Sequence, residues 1–219
     1  MLERITRREE ADLFVAWIAI SISFAIIFIS PGGFLNFNGR VSAFTALIYF
    51  GVSLVVVLFG FILHEMAHKF TAIKYGFWAE FRKDNMMLLV AVALAALVGV
   101  VFAAPGATMI YNTRADGRTI SREENGKISA AGPITNLILC IPFAGLLLYG
   151  GLSSGFGANV FTLVGIVGLQ VNAMIAAFNM LPVSVLDGRK VLAWNPAIFI
   201  VLIVASFGVL IASFYAIMG

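Results

Sequence analysis

Met86-Met87-Leu88-Leu89-Val90-Ala91-Val92-Ala93-Leu94-Ala95-Ala96-Leu97-Val98-Gly99-Val100-Val101-Phe102-Ala103-Ala104-Pro105-Gly106-Ala107-Thr108-Met109-Ile110 is apolar enough to enter a bilayer, and whether it crosses decides the fold. Five other apolar stretches surround it, at about Leu13–Ile29, Ala43–Ile73, Ile128–Tyr149, Phe161–Met180 and Pro196–Met218. A helix crosses with roughly 20 apolar residues, so a plain count gives six spans. Loop charge tests that count, because cytoplasmic loops gather Lys and Arg. With six crossings, Arg4, Arg7, Arg8, Lys69, Lys74, Arg82 and Lys83 face one side. Arg40, Arg114, Arg118, Arg122, Lys127, Arg189 and Lys190 then face the other, an even split with no orientation signal. If Met86–Ile110 instead enters and leaves by one face, all of the 14 Lys and Arg except Arg40 share a side. Gly99 and Ala104-Pro105-Gly106-Ala107 also interrupt the run, and irregular backbone at membrane depth persists only when buried or lining a cavity. The expected fold is therefore an all-α polytopic membrane protein with five full spans and one re-entrant element, N-terminus cytosolic and C-terminus outside.

Composition places the whole chain in lipid. Of 219 residues, 61% are hydrophobic and 11% charged, against about half and about a quarter in a soluble domain. The chain reads as one integral membrane domain over 1–219, with its core at about 43–189. The first span follows Arg4, Arg7 and Arg8 as a signal peptide would. Ser30-Pro31-Gly32-Gly33 makes a poor cleavage site, however, and it reads as a retained helix. Cys140 is the only cysteine, which excludes a disulfide framework and a thiolate metal site. The net charge of +3 suits an anionic leaflet, and nucleic acid is not an expected partner.

The second span ends in Leu63-His64-Glu65-Met66-Ala67-His68-Lys69, an H-E-x-x-H motif holding the only two histidines in the chain. Residues i and i+4 share a helix face, so both imidazoles reach one metal while Glu65 stands beside its water. A catalytic zinc takes three protein ligands and keeps a fourth position for water, whose pKa falls toward about 7. Glu65 then serves as general base. Ionisable groups inside a span are costly and point to function. Lys74 lies about 15 Å beyond His64 along the helix, and Lys69 is expected to snorkel to the same surface. The third ligand falls to Asp187, which follows the fifth apolar stretch. Asp12, Glu80, Asp84, Asp116, Glu123 and Glu124 sit among loop charges and read as solvated surface.

Three blocks resemble the site-2 proteases, a family of intramembrane zinc metalloproteases. His64-Glu65-x-x-His68 with Ala72 and Gly76 is similar to the family's metal helix. Ala131-Gly132-Pro133-Ile134-Thr135-Asn136 is similar to its Gly-Pro-x-x-Asn helix start. Asn179-x-x-Pro182 with Leu186-Asp187-Gly188 is similar to its Asn-Pro and Leu-Asp-Gly block. The resemblance covers roughly Ala43 to Arg189 and implies one zinc held by His64, His68 and Asp187, with Glu65 as base. It also implies that Asn179 and Asn136 are polar groups near the substrate or the oxyanion. The implied partner is the transmembrane helix of a membrane-protein substrate, cut within the lipid bilayer. The chain departs from many members in having no PDZ or regulatory domain, and in its long insert at Met86–Ile110. The metal set supports the re-entrant reading independently. His64 and Asp187 reach one ion only if the ends of their helices share a face, so the chain between Lys74 and Lys127 must return to where it began.

Other functions fit less well. A metal transporter usually carries duplicated halves with matching broken helices, and none are visible. A membrane iron oxygenase needs more histidines. An inactive relative acting as a binding protein would have no need of Glu65 together with the full ligand set. A protease acting on a helix must first unwind it, and an unwound backbone in lipid needs new hydrogen-bond partners. Pro105 and Gly106 break the insert's helix, and Thr108 and Ile110 are β-branched, so an extended segment near Ala107 to Ile110 is expected beside the metal cavity.

Overall fold

The computed structural model describes residues 5–33, 41–100, 106–111, 118–152, 155–183 and 185–218. Arg4, Arg40, Ala104, Pro105, Arg114 and Asp116, which entered the sequence argument, lie outside the described residues. Helix α1 spans Arg7–Ile29, and α2 runs Ala43–Lys74 with a π turn at Leu58–Ile62. Strand β1 (Trp78–Lys83), helix α3 (Asn85–Val98) and strand β2 (Gly106–Tyr111) follow. Then come α4 (Arg122–Leu152), α5 (Phe156–Asn179), the short α6 (Asp187–Trp194) and α7 (Pro196–Met218).

Five of these helices are long and apolar enough to cross a bilayer, namely α1, α2, α4, α5 and α7. Helix α3 is not among them. Its 14 residues rise about 21 Å, short of a hydrocarbon core of roughly 30 Å. Its flanks decide its topology. β1 and β2 pair antiparallel with Lys83 opposite Gly106 and Trp78 opposite Tyr111, so the chain leaves and re-enters at one place. The insert is a re-entrant element, and the extended segment sought near Ala107 to Ile110 is β2.

Local chemistry explains the breaks. Helix α2 stops at Gly76, whose φ of 84° is open to glycine at no steric cost. The Phe77 N–H reaches back to the Ala72 carbonyl (3.0 Å), closing a left-handed cap that turns the chain into β1. Asp84 caps α3, its Oδ1 accepting from the N–H groups of Met86 (2.9 Å) and Met87 (3.1 Å). Ser121 and Glu124 form a reciprocal capping box at the start of α4.

Several charges sit elsewhere than the sequence suggested. Asp12, Glu80 and Glu124, expected on a solvated surface, are buried. Asp12 and Glu80 both pair with Arg82, and Glu124 pairs with Arg118 and closes its capping box. Lys69 does not snorkel. It is fully buried and paired with Glu9 of α1, whose second oxygen accepts from the Phe81 N–H of β1 (3.0 Å). A charge at membrane depth is costly unless it is paired, and Glu9 supplies the partner within reach of Lys69. One carboxylate thus joins α1, the metal helix and the sheet.

The largest buried apolar cluster draws on α1, α2, α4 and α5, and small residues between α4 and α5 allow close approach. A Cβ on Gly165 would overlap the backbone of Leu147, and one on Gly168 would overlap the Phe143 ring. Leu47, Ile141, Leu148 and Val201 point outward, as lipid-facing side chains do.

Candidate metal centre

His64 and His68 stand one turn apart on α2 and present their Nε2 atoms 3.0 Å from each other. Asp187, first residue of α6, brings its Oδ2 to 3.0 Å from His68 Nε2 and 3.5 Å from His64 Nε2. All three residues are buried, and they form the one His, Cys, Asp or Glu cluster of metal-binding geometry among the described residues. A tetrahedral zinc with ligands at 2.0–2.1 Å separates its donors by roughly 3.3 Å, so the triangle has the right size. The space is also reserved. A Cβ on Gly132 would lie 2.6 Å from both His64 Cε1 and His64 Nε2 and would overlap His68 Nε2. Any side chain at 132 would fill the point where the three donors converge.

Each ligand is oriented from behind. His68 Nδ1 donates to the Ile128 carbonyl of α4 (2.7 Å). His64 Nδ1 donates to Asn136 Oδ1 at 2.5 Å. Both rings therefore carry a proton on Nδ1; without a metal their Nε2 atoms also face Asp187 as hydrogen-bond donors, and a bound metal would take an Nε2 lone pair from each instead. Asp187 is set by its neighbour. A Cβ on Gly188 would meet the carbonyls of Met180 and Leu181, the latter at 2.8 Å, so only glycine lets α6 begin against the end of α5. Burial alone would raise the Asp187 carboxyl pKa. The charge and hydrogen bonds of His68 and His64 outweigh it and hold the group below the usual carboxylate range, so it stays an anionic donor.

A cavity of about 470 Å³, its open mouth included, is lined by His64, Glu65, His68, Thr108, Asn179 and Asp187, among others. Glu65 Oε2 accepts from the Thr108 hydroxyl of β2 at 2.7 Å. Asn179 ends α5 at the cavity wall. Its Nδ2 donates one hydrogen to the Ile175 carbonyl (3.0 Å) and keeps a second N–H. Asn136 is placed differently from Asn179. It is fully buried, is absent from the cavity lining, and spends both amide hydrogens on the Gly60 carbonyl and Asn172 Oδ1, each at 2.9 Å. The fold turns its Oδ1 to His64.

The donor set could hold a metal ion, and a comparison with known proteins bears on which kind of protein carries it. A Methanocaldococcus jannaschii protein described as "putative zinc metalloprotease" is 39% identical over 196 residues, covering 90% of this chain and 89% of its own. The chain belongs to the site-2 protease-like zinc metalloproteases. No protein-family profile matches the chain, and no solved structure matches it.

Within that family setting, sequence reasoning missed the contact between Thr108 and Glu65, the gap kept by Gly132, and Asn172. For Asn172 a signal existed. It is a polar side chain inside an apolar span, the same signal that marked Glu65. The other two depend on a strand and a helix start meeting α2, which no local pattern encodes.

Proposed function

We propose that this integral membrane protein is an intramembrane zinc endopeptidase that cuts transmembrane segments of other membrane proteins. The observation that carries the reading is Glu65, which lines the same buried cavity as the His64, His68 and Asp187 triangle, on helix α2, one of the five long enough to cross a bilayer. When bound there, zinc supplies Lewis-acid chemistry, acidifying water and polarising the carbonyl to be cut. Glu65 takes a proton from the attacking water and returns it to the leaving amide nitrogen. Asn179 offers its second N–H to the developing oxyanion.

The insert provides for the substrate backbone. Phe81 donates its N–H to Glu9, on the side of β1 away from β2, so Phe81 and Thr108 form a non-hydrogen-bonded pair of the ladder. The N–H and C=O of Thr108 therefore face the outer edge of β2, and Ile110, two residues on, faces the same way. No described strand covers that edge. An unwound substrate segment pairs there by strand addition, which replaces the helical hydrogen bonds it has given up. An apolar groove lined by Met87, Met109, Phe178, Leu181 and Val185 adjoins the cavity and receives the hydrophobic side chains. In this reading the N-terminus and the cavity mouth face the cytosol, where the Lys and Arg bias places them, and the C-terminus is outside.

The test is cleavage of a single-span substrate in liposomes by wild type and by Glu65→Gln, with zinc measured in both. Cleavage by wild type alone, at equal zinc content, supports the reading. A zinc-loaded wild type that leaves a panel of single-span substrates intact overturns it in favour of a binding role, and equal cleavage by both removes Glu65 from the mechanism.

A further inference from the structure

We infer that Asn172, a residue outside the ligand set, is a positioning residue that fixes the tautomer of His64 by acting through Asn136. It rests on the metal centre of the proposed function but not on proteolysis.

The inference comes from a chain of hydrogen bonds that has only one possible direction. Asn172 Nδ2 donates to the Gly168 carbonyl one turn back on α5, at 2.9 Å. A carbonyl only accepts, so Asn172 must turn its NH₂ there and its Oδ1 the other way. Asn172 Oδ1 then accepts from Asn136 Nδ2 at 2.9 Å, and the Gly60 carbonyl accepts from the same nitrogen. With two acceptors on one side, the Asn136 amide cannot flip, and its Oδ1 is left facing His64 Nδ1 at 2.5 Å. His64 must answer with Nδ1–H, which leaves Nε2 as the nitrogen that can ligate beside Asp187. The opposite amide orientation would present NH₂ to Nδ1 and keep the proton on Nε2, where it would block the metal. The Gly60 and Gly168 carbonyls thus together dictate which nitrogen of His64 can ligate, the second acting through Asn172.

The backbone is shaped for this relay. Gly60 lies in the π turn of α2, one turn before His64, and π turns commonly mark functional sites. A Cβ on Gly60 would press on Asn172 Oδ1 at 3.1 Å. Asn136 and Asn172 are fully buried, and each amide nitrogen and oxygen of the pair has a hydrogen-bond partner within the protein. Conserving an ordinary interhelical hydrogen bond would require only the Asn136–Asn172 contact. It would not require the aligned carbonyls at both ends.

The test uses full-length protein and zinc competition against a chelator, with Asn136→Ala, Asn172→Leu and the double variant. Asn172→Leu is expected to weaken zinc at least tenfold, within the roughly 10–100-fold typical of groups that orient a ligand. Because Asn172 acts through Asn136, the double variant should lose no more than Asn136→Ala alone, and the tautomer of His64 is the readout that a merely structural role would not move. The chain has two histidines, so ¹⁵N-histidine labelling reads His64 directly. With zinc bound, wild type should show His64 as a single Nδ1–H tautomer, and Asn172→Leu a mixture of ligated and unligated signals. Asn172→Thr, whose hydroxyl can donate to the Gly168 carbonyl and accept from Asn136, covers the case in which leucine fails to fold and should recover part of the affinity. Zinc affinity within twofold of wild type in the folded Asn172 variants, additive losses, or an unchanged tautomer would overturn the inference. Zinc binding by a wild type that cleaves nothing would overturn the proteolytic function and leave this inference standing.

Discussion

Thr108 donates its hydroxyl to the Glu65 carboxylate at 2.7 Å, so a residue of the inserted strand holds the acid of the H-E-x-x-H helix. Under the proposed function, strand β2 would serve the catalytic acid as well as the substrate backbone. A hydrogen bond to a charged group is worth about 1.5–3 kcal/mol, so Thr108→Val should lower kcat on the order of tenfold. KM and zinc content should stay unchanged, and Thr108→Ser should restore the rate. Steady-state cleavage with parallel zinc analysis checks this, and wild-type kcat in the valine variant would remove the contact from the mechanism.

The edge itself is tested one pair along. Ile110→Pro deletes an outward N–H while sparing both the β1 ladder and the Thr108 hydroxyl, and proline is tolerated on an edge strand. Its expected signature is a KM raised several-fold, with zinc content unchanged. A fall in kcat alone would mean that substrate does not pair with β2.

Gly132 keeps space beside both imidazoles. A methyl group there would sit 2.6 Å from His64 Nε2 and 2.4 Å from His68 Nε2. The gain of up to about 1 kcal/mol that alanine brings to a helix is set against a cost of ~1–3 kcal/mol for overpacking, so Gly132→Ala should lower apo stability by no more than about 2 kcal/mol. Zinc affinity should drop by more than tenfold. Normal zinc content in this variant would mean that the ion lies elsewhere.

The Glu9 carboxylate joins three elements, and Glu9→Ala removes the acceptor of both the Lys69 ammonium and the Phe81 N–H. Removing one partner of a buried pair costs about 3–5 kcal/mol. Unfolding in mixed micelles should show a loss of that order. A change below about 1 kcal/mol would show that the pair contributes little to holding α1 on the metal helix.

Topology is open to direct labelling. Cys140 is the only cysteine and is buried, so single cysteines can be introduced after Cys140→Ala. Labels at Arg8, Arg118 and Arg189 should react from one side of the membrane and a label at Val41 from the other. Opposite sides for Arg8 and Arg118 would restore six crossings.

Much of this protein could be read from the chain alone. The apolar stretches fixed the helical membrane class. The imbalance of Lys and Arg, with the break at Gly99 and Pro105-Gly106, marked Met86–Ile110 as returning to its own face. His64, Glu65 and His68 were legible because a helix repeats its face every three to four residues, and Asp187 because few acids remained. These are local or compositional signals, and one-dimensional patterns carry them. What tertiary structure alone decided concerns groups distant in sequence. Glu9 reaches Lys69 across 60 positions, Thr108 reaches Glu65 across 43, and Asn136 reaches His64 across 72. Asp12, Glu80 and Glu124 look like surface charges in the chain and are buried in the fold. The reason is physical. A polar side chain in lipid must find its partner inside the protein, and which partner it finds depends on how the helices pack, a property no single helix contains.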